Sequence, residues 1–557
     1  MAESILPGVS IEVRPEGLIV PGRVSVGNLG VVGTAGKGGL NKPITLGSYA
    51  EAREIFSGYD AFIDGKSDEL TLVRALEQVF NHGATTVVAV RIASASAHKA
   101  EYLLSSSSGD CCRLSAKSEG EWGNDIEVNV FDATEHSFVK SEQHNGGAPI
   151  SLSYHPVVKS ARNRVMVFTD ATQRTTLMQI VYDGDPAPTN GQVQIDRTTG
   201  ALSFHASEVP GAADIVTVSY VVDKSVSVKV TLKNASAEEA YTVASGNDLL
   251  ADLAESSVLA DGTALVNAAE VPSKFSAVDE FDYFGAGANA RGDNGAVGAS
   301  YSAGLDLLLN EPVHIMVAAG QSQDNAGADL MSHCQVASSD INKHERIGVI
   351  GSGPDDDLDS IQGHSLNSDR IIFVAPGMKA TDSPTGKEVT LPGAYTAAAI
   401  AGLISSYSPH VSLTNKPLAI RGLAAKYTNA ELTRLVNAHV LALQEKLGFR
   451  VVKGITTSTN TAWHQITTRR IVDYAKYGVR SAANPYIGLL NNERVRGALR
   501  ATVNSFLAEM VNAEMLVSYD LDVTATRDEE RQGIARVTLV LRPTFSIDFI
   551  KVTMFLE

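Results

Sequence analysis

The sequence predicts a multidomain α/β protein: a mostly parallel sheet at its core, an inserted all-β region, and a C-terminal unit of helices and strands. Three observations carry the outline. Strand-like apolar runs alternate with helical stripes over residues 23–95 and again from about 301, the pattern of a parallel sheet covered on both faces. Between them lie short alternating stretches, Ile126/Val128/Val130, Val216/Val218/Tyr220/Val222 and Val226/Val228/Val230/Leu232, spaced as in a β-sandwich or barrel. The length of 557 residues suits three or four units of about 150 residues each.

Residues 1–22 read as an arm. Val9, Ile11 and Val13 alternate with Ser10, Glu12 and Arg14, and Pro7, Pro15 and Pro21 bracket them, so a half-buried strand is expected here. A lone strand is unstable in water and must pair with something. Residues 23–100 form the first part of the core: an apolar run from Val24 to Val32, a Ser48/Glu51 capping pair opening a helix through Phe56, a helical stripe of Leu72, Val73, Leu76, Val79 and Phe80 stopping at Gly83, and a buried strand over Thr86–Ile92. Residues 101–300 form the β region, with a hairpin around Asp196–Gly200, one helix near 248–258 and a Gly-rich stretch at 285–298. Residues 301–466 form the main core, with strands at Val313–Ala319, Arg346–Ile350, Arg370–Ala375 and Arg450–Ile455. Its helices fall at about 326–338, 393–406 and 429–447, the last opened by Thr428/Glu431 and closed by Gly448. Residues 467–557 carry helices at about 467–480 and 491–513, then strands at Ile534–Leu541 and Phe545–Phe555.

Composition narrows the function. Charged residues are 20% and the hydrophobic class 44%, as in ordinary soluble proteins. A formal charge of −17 repels phosphate backbones, so nucleic acid is not an expected partner. Cys111, Cys112 and Cys334 make neither a disulfide framework nor a metal knuckle. The longest apolar stretch, Ala394–Ile404, is too short to cross a bilayer, and MAESILPGVSIEV does not read as a signal peptide. A soluble chain made in the cytosol, without membrane insertion, is the expectation.

Candidate chemical sites fall short one by one. Gly33-Thr-Ala-Gly-Lys37-Gly-Gly39 resembles a phosphate loop but lacks its spacing and its hydroxyl after the lysine. Gly285-Ala-Gly-Ala-Asn-Ala290 fits a dinucleotide fingerprint only if a helix follows, and Arg291-Gly-Asp-Asn-Gly295 is turn-rich. Asp355, Asp356, Asp357 and Asp359 could hold a hard cation but read better as acids at a helix N-terminus. No HExxH pair and no Gly-x-Ser-x-Gly elbow occurs in the sequence. The expectation is a protein without catalytic, metal or cofactor-binding residues.

The C-terminal helix says more. Val495, Leu499, Val503, Phe506 and Met510 fall within an arc of about 80° at 100° per residue. Arg494, Arg496 and Arg500 lie outside that arc. Residues 469–557 hold 12 basic and 11 acidic side chains, leaving a net −18 on the rest of the chain. The basic face is either solvated or a docking face for an acidic partner.

Several segments together resemble the tail sheath proteins of contractile-tailed bacteriophages: Pro7-Gly-Val-Ser-Ile-Glu-Val13, Trp122-Gly-Asn-Asp-Ile126, Leu391-Pro-Gly-Ala-Tyr-Thr-Ala397, and the run from Arg469-Arg-Ile-Val-Asp473 to Thr544-Phe-Ser-Ile-Asp548. The resemblance is weakest over 130–290. It implies a structural subunit that polymerises as a helical homopolymer of stacked rings around an inner tail tube protein, bounded by baseplate and tail terminator proteins. Contraction would drive the tube through the host envelope for genome ejection, the sheath being part of the virion tail and assembled in host cytoplasm. It further implies an outward-facing 101–300 insertion and terminal strands donated between neighbours. Val9, Ile11, Val13, Phe545, Ile547, Phe549, Val552 and Phe555 would be the exchange residues. Arg494, Arg496 and Arg500, with Lys476 and Arg480 as further candidates, would face the tube. A phage-derived contractile bacteriocin or injection particle, or an α/β hydrolase-like or nucleotide-using enzyme, are the competing readings.

Overall fold

The structure is a computed structural model, and it describes residues 26–62, 70–147, 149–277 and 280–555. The chain divides into two units, one built from the segments up to Ser94 and from Ala296 onward, the other from Ala95–Gly295.

The first unit is organised by an eight-stranded sheet. Its strands are β1 (Leu29–Gly33), β2 (Pro43–Leu46), β3 (Val87–Arg91), β4 (Ile315–Ser322), β5 (Ile347–Gly351), β6 (Ile371–Ala375), β7 (Leu441–Glu445) and β8 (Phe449–Val451). They run in the order β2-β3-β1-β4-β5-β6-β7-β8. The pairs from β3 to β7 are parallel, while β2 and β8 close the two edges antiparallel. β1, β3, β5 and β6 are buried at every position, as sheets covered on both faces require. The side-chain period of two splits the apolar residues. Val31, Val317 and Val349 pack on one side against α2 (Thr71–Asn81) and α6 (Gly393–Ser406). Val32, Met316 and Ile350 pack on the other against α3 (Tyr301–Leu307), α4 (Gln323–Ala337) and α7 (Asn429–Asn437).

The expected elements form here with three differences. Ser48 caps α1 (Tyr49–Phe56) by accepting from the Glu51 amide, but the Glu51 carboxylate reaches back to the Gly47 amide and not to that of Ser48. The helix expected over 429–447 ends at Asn437, and Leu441–Glu445 is a sheet strand. His439, at φ 63°, turns the chain, and the Val440 amide closes onto the Leu435 carbonyl. The short apolar run Val440-Leu-Ala-Leu443 fits a buried strand as well as a helix, and tertiary pairing decides. The strand expected at Arg450–Ile455 contributes only Phe449–Val451.

In the second unit, strands predominate in three sheets of eight, four and three strands. It is not wholly β, because Gly246–Ser256 is a helix capped by Ser245. The alternations hold at residue level: Val216, Val218, Tyr220 and Val222 are buried in the strand Ile215–Val222, and Val228, Val230 and Leu232 in Val228–Lys233. Val226 departs from its pattern, being exposed in a short 3-10 turn. Gly200, at φ 72°, closes the hairpin between Gln192–Ile195 and Ala201–Phe204 by donating to the Asp196 carbonyl.

Candidate functional site

The near-miss loops do not assemble an active site. After β1 the 33–39 loop leads into the edge strand β2, not into a helix N-terminus, and the Arg91 guanidinium holds it by donating to the Gly38 carbonyl at 2.6 Å. In the acidic loop, Asp357 caps the five-residue helix α5 (Leu358–Gln362) through the Ser360 amide, and Asp356 accepts from the Gly353 amide at 2.6 Å. Local backbone donors thus occupy these carboxylates. The 285–290 loop precedes no helix until Tyr301. Among the described residues no three His, Cys, Asp or Glu side chains are grouped to hold a metal.

Interaction chemistry concentrates at the C-terminal end. Helix α8 (Ile466–Ala483) is bolted to the core by charge. Asp473 accepts two hydrogen bonds from Arg370, at 2.8 and 3.1 Å, and one from Arg469 at 2.7 Å. Arg469 also reaches Asp369 at 2.8 Å and lies over the Trp463 ring at 4.4 Å. Arg470 donates to the Tyr407 and Ser408 carbonyls just beyond α6, where a cation suits the helix dipole. Burial lowers the Arg470 pKa to about 10. Glu345, its side chain only 2% exposed, takes Arg480 bidentately and Lys476 at 3.3 Å. Burial raises its pKa, but the Arg480 hydrogen bonds outweigh this and hold it below the usual value. The seam was missed in the sequence, although the i,i+4 spacing of Arg469 and Asp473 is a legible ion-pair signal.

From this seam the chain builds a small second layer. Helix α9 (Glu493–Asn512), capped by Asn492, buries Leu499, Val503, Phe506 and Met510 as expected. It crosses α8 at Gly478, where a Cβ would stand 1.9 Å from the Phe506 ring. Strands β9 (Leu516–Thr524) and β10 (Arg536–Pro543) then pair antiparallel across the short α10 (Arg527–Arg531). Tyr519, Leu521, Val523, Val537, Leu539 and Leu541 turn towards α9. Thr526 and Glu529 form a full capping box on α10. The Thr526 amide and then Arg536 draw the Glu529 pKa down to about 2. Among the described residues β9 and β10 pair only with each other, so the sheet presents a backbone edge on either side.

The expected site residues divide accordingly. Val9, Ile11 and Val13 lie outside the described residues. Phe545, Ile547, Phe549, Val552 and Phe555 are 64%, 80%, 79%, 74% and 87% exposed. They stand in a segment without helix or strand, where a strand is expected over 545–555. A strand exists only when another backbone edge pairs with it, and no described strand pairs with this segment. Arg496 is tied to Glu530 at 2.9 Å and to Asn491, so its charge is already matched within the chain. Arg500 donates to the Leu521 carbonyl at 3.2 Å, and Arg494 sits exposed in the first turn of α9. Lys476 and Arg480 belong to the seam on Glu345 and not to an outer basic face.

Residues 294–457 match the phage tail sheath protein central domain, and residues 458–557 the phage tail sheath C-terminal domain. A tail sheath protein of Staphylococcus phage Twort is 28% identical over 178 residues, 30% of this chain; the match spans 29% of that relative's length. Two solved structures share the fold. The sheath tail protein from Desulfitobacterium hafniense superposes with a TM-score of 0.59 at 14% identity, over 96% of this chain and 100% of that one. The sheath tail protein from Listeria innocua gives 0.54 at 12% identity, over 95% and 97%. Its central and C-terminal segments are thus similar to two consecutive domains of phage tail sheath proteins.

Proposed function

We propose that the chain is a non-catalytic structural subunit that polymerises with copies of itself into a helical sheath of stacked rings. The sheath surrounds an inner tail tube, ends at baseplate and terminator proteins, and contracts to push the tube through a host envelope so that a genome is ejected. The observation that carries this is the apolar tail beyond β10, left in solvent beside a two-stranded sheet with open edges. Burying one large apolar side chain contributes about 1.5–3 kcal/mol, whereas an exposed ion pair contributes about 0–1 kcal/mol. Apolar strand addition, more than the α9 arginines, therefore holds subunits together, and Arg494 and Arg500 serve a weaker, breakable contact with the tube. A head-to-tail contact of this kind that does not close yields a helix, as a sheath needs. Contraction needs no nucleotide where the extended lattice is trapped kinetically above a more stable one.

The test is polymerisation. Purified chain is expected to form cylinders by negative-stain microscopy, and a variant lacking residues 1–20 is expected to fold yet stay monomeric. Normal cylinders from that variant would remove the N-terminal arm from the mechanism. Globules at every concentration of the intact chain would remove self-assembly altogether.

A further inference from the structure

The tail is not loose along its whole length. Beyond β10 the Thr544 amide donates to the Met515 carbonyl at 3.1 Å, and the next fixed point is Asp548. Its side chain is 13% exposed, in a stretch where Phe545, Ile547, Phe549 and Ile550 are 64–82% exposed. One carboxylate oxygen accepts from Ser546 Oγ at 3.1 Å and from Thr414 Oγ1 at 3.4 Å. The other accepts from Gln465 Nε2 at 3.5 Å and faces Lys453 Nζ at 3.8 Å. Lys453 also stands 5.7 Å from the centre of the Phe549 ring. Thr414, Lys453 and Gln465 come from three loops around β8 and the start of α8, so an acid on the tail meets a preformed polar seat on the core. An alternating apolar segment built only to pair by its backbone has no use for a half-buried acid at this position.

We propose that Asp548 is a tether: it fixes where the tail leaves its own subunit and in which direction, so that only the segment from Phe549 onward is handed to a second copy of the chain. This rests on the reading of the tail as a donated strand. The consequence is metric. Residues 549–555, extended at about 3.3 Å each, reach about 23 Å, so the accepting edge on the neighbour lies within that distance of the Lys453 seat. Holding the root in place removes part of the ordering cost that a free tail meets on binding.

The experiment measures the critical concentration for polymerisation of the full chain by light scattering, with the melting temperature as control. Asp548→Asn and Lys453→Met are each expected to raise it about three- to tenfold with unchanged melting, the order of one lost charge-assisted contact. The swap Asp548→Lys with Lys453→Asp is expected to recover most of the loss, which general damage to the tail would not allow. Wild-type assembly by Asp548→Asn and Lys453→Met, beside a truncation after Asp548 that fails to assemble, would overturn the tether alone. Normal assembly of the truncated chain would overturn strand donation itself, and the tether with it.

Discussion

The core sheet and the C-terminal sheet solve the same problem in opposite ways. Each has edges to protect and apolar side chains to cover. The core sheet ends in antiparallel edge strands and lies between helices on both faces, so β1, β3, β5 and β6 are buried throughout. The β9–β10 sheet covers one face with α9, leaves Ser518, Asp520 and Asp522 on the other, and is followed by apolar side chains with nothing over them. The core is covered within one chain, whereas the C-terminal layer leaves apolar side chains and backbone edges uncovered among the described residues. Stability and assembly should therefore respond to different residues.

The largest effect should separate the two regions completely. Replacing Phe549, Val552 and Phe555 together by serine is expected to abolish polymers and leave the melting temperature within about 1 °C, since surface changes stay within about 0.5 kcal/mol. A large fall in melting temperature would place the tail in the core. Next, Asp473→Ala leaves Arg370 without its carboxylate in the seam, where breaking such a pair costs about 3–5 kcal/mol. Chemical denaturation should show that loss.

Acid should act on the core in a predictable window. Burial first, and the Arg346 guanidinium second, lower the His333 pKa to about 4, so the ring stays neutral in the fold. An unfolded histidine titrates near 6.5. Below that pH the unfolded chain takes up a proton that the folded chain refuses. Stability is therefore complete above pH 6.5 and falls towards pH 4, by on the order of 3 kcal/mol. Denaturation of His333→Gln across this range should show a flatter profile, and equal slopes would remove His333 from the account.

Smaller effects sharpen the border. Gly478→Ala forces the Phe506 ring to move inside a packed layer and should destabilise by about 1–3 kcal/mol. Hydrogen exchange should show that loss in α8 and α9 before the core. Thr526→Ala removes the cap of α10 and should cost about 1 kcal/mol locally, read as faster exchange at 527–531.

Much of this was legible in the sequence, and two of the misses share a cause. Gly393–Ser406 forms the helix that its small and apolar residues announce, and Leu499, Val503, Phe506 and Met510 are buried on the arc that periodicity draws, with Val495 half-buried at its end. Two of the missed strands, Leu441–Glu445 and Leu516–Thr524, each follow a helix ended by a left-handed residue that is not glycine: His439 at φ 63° and Glu514 at φ 60°. In each case a backbone bond from the residue after it, Val440 to Leu435 and Met515 to Met510, closes the helix in the 6→1 pattern. A glycine would have announced both stops. The alternation of Phe545 to Phe555 was readable, but alternation does not say which chain supplies the partner edge. The seat of Asp548 was not readable at all, because Thr414, Lys453 and Gln465 are brought together only by the fold.

The uncovered side chains beyond Pro543 carry a thermal signature. Removing hydrocarbon from water is driven by entropy near room temperature and weakens on cooling. Cylinders cemented by these residues should therefore loosen near 0 °C and re-form on warming, so an ice bath, and not a warm room, is the place to look for free subunits.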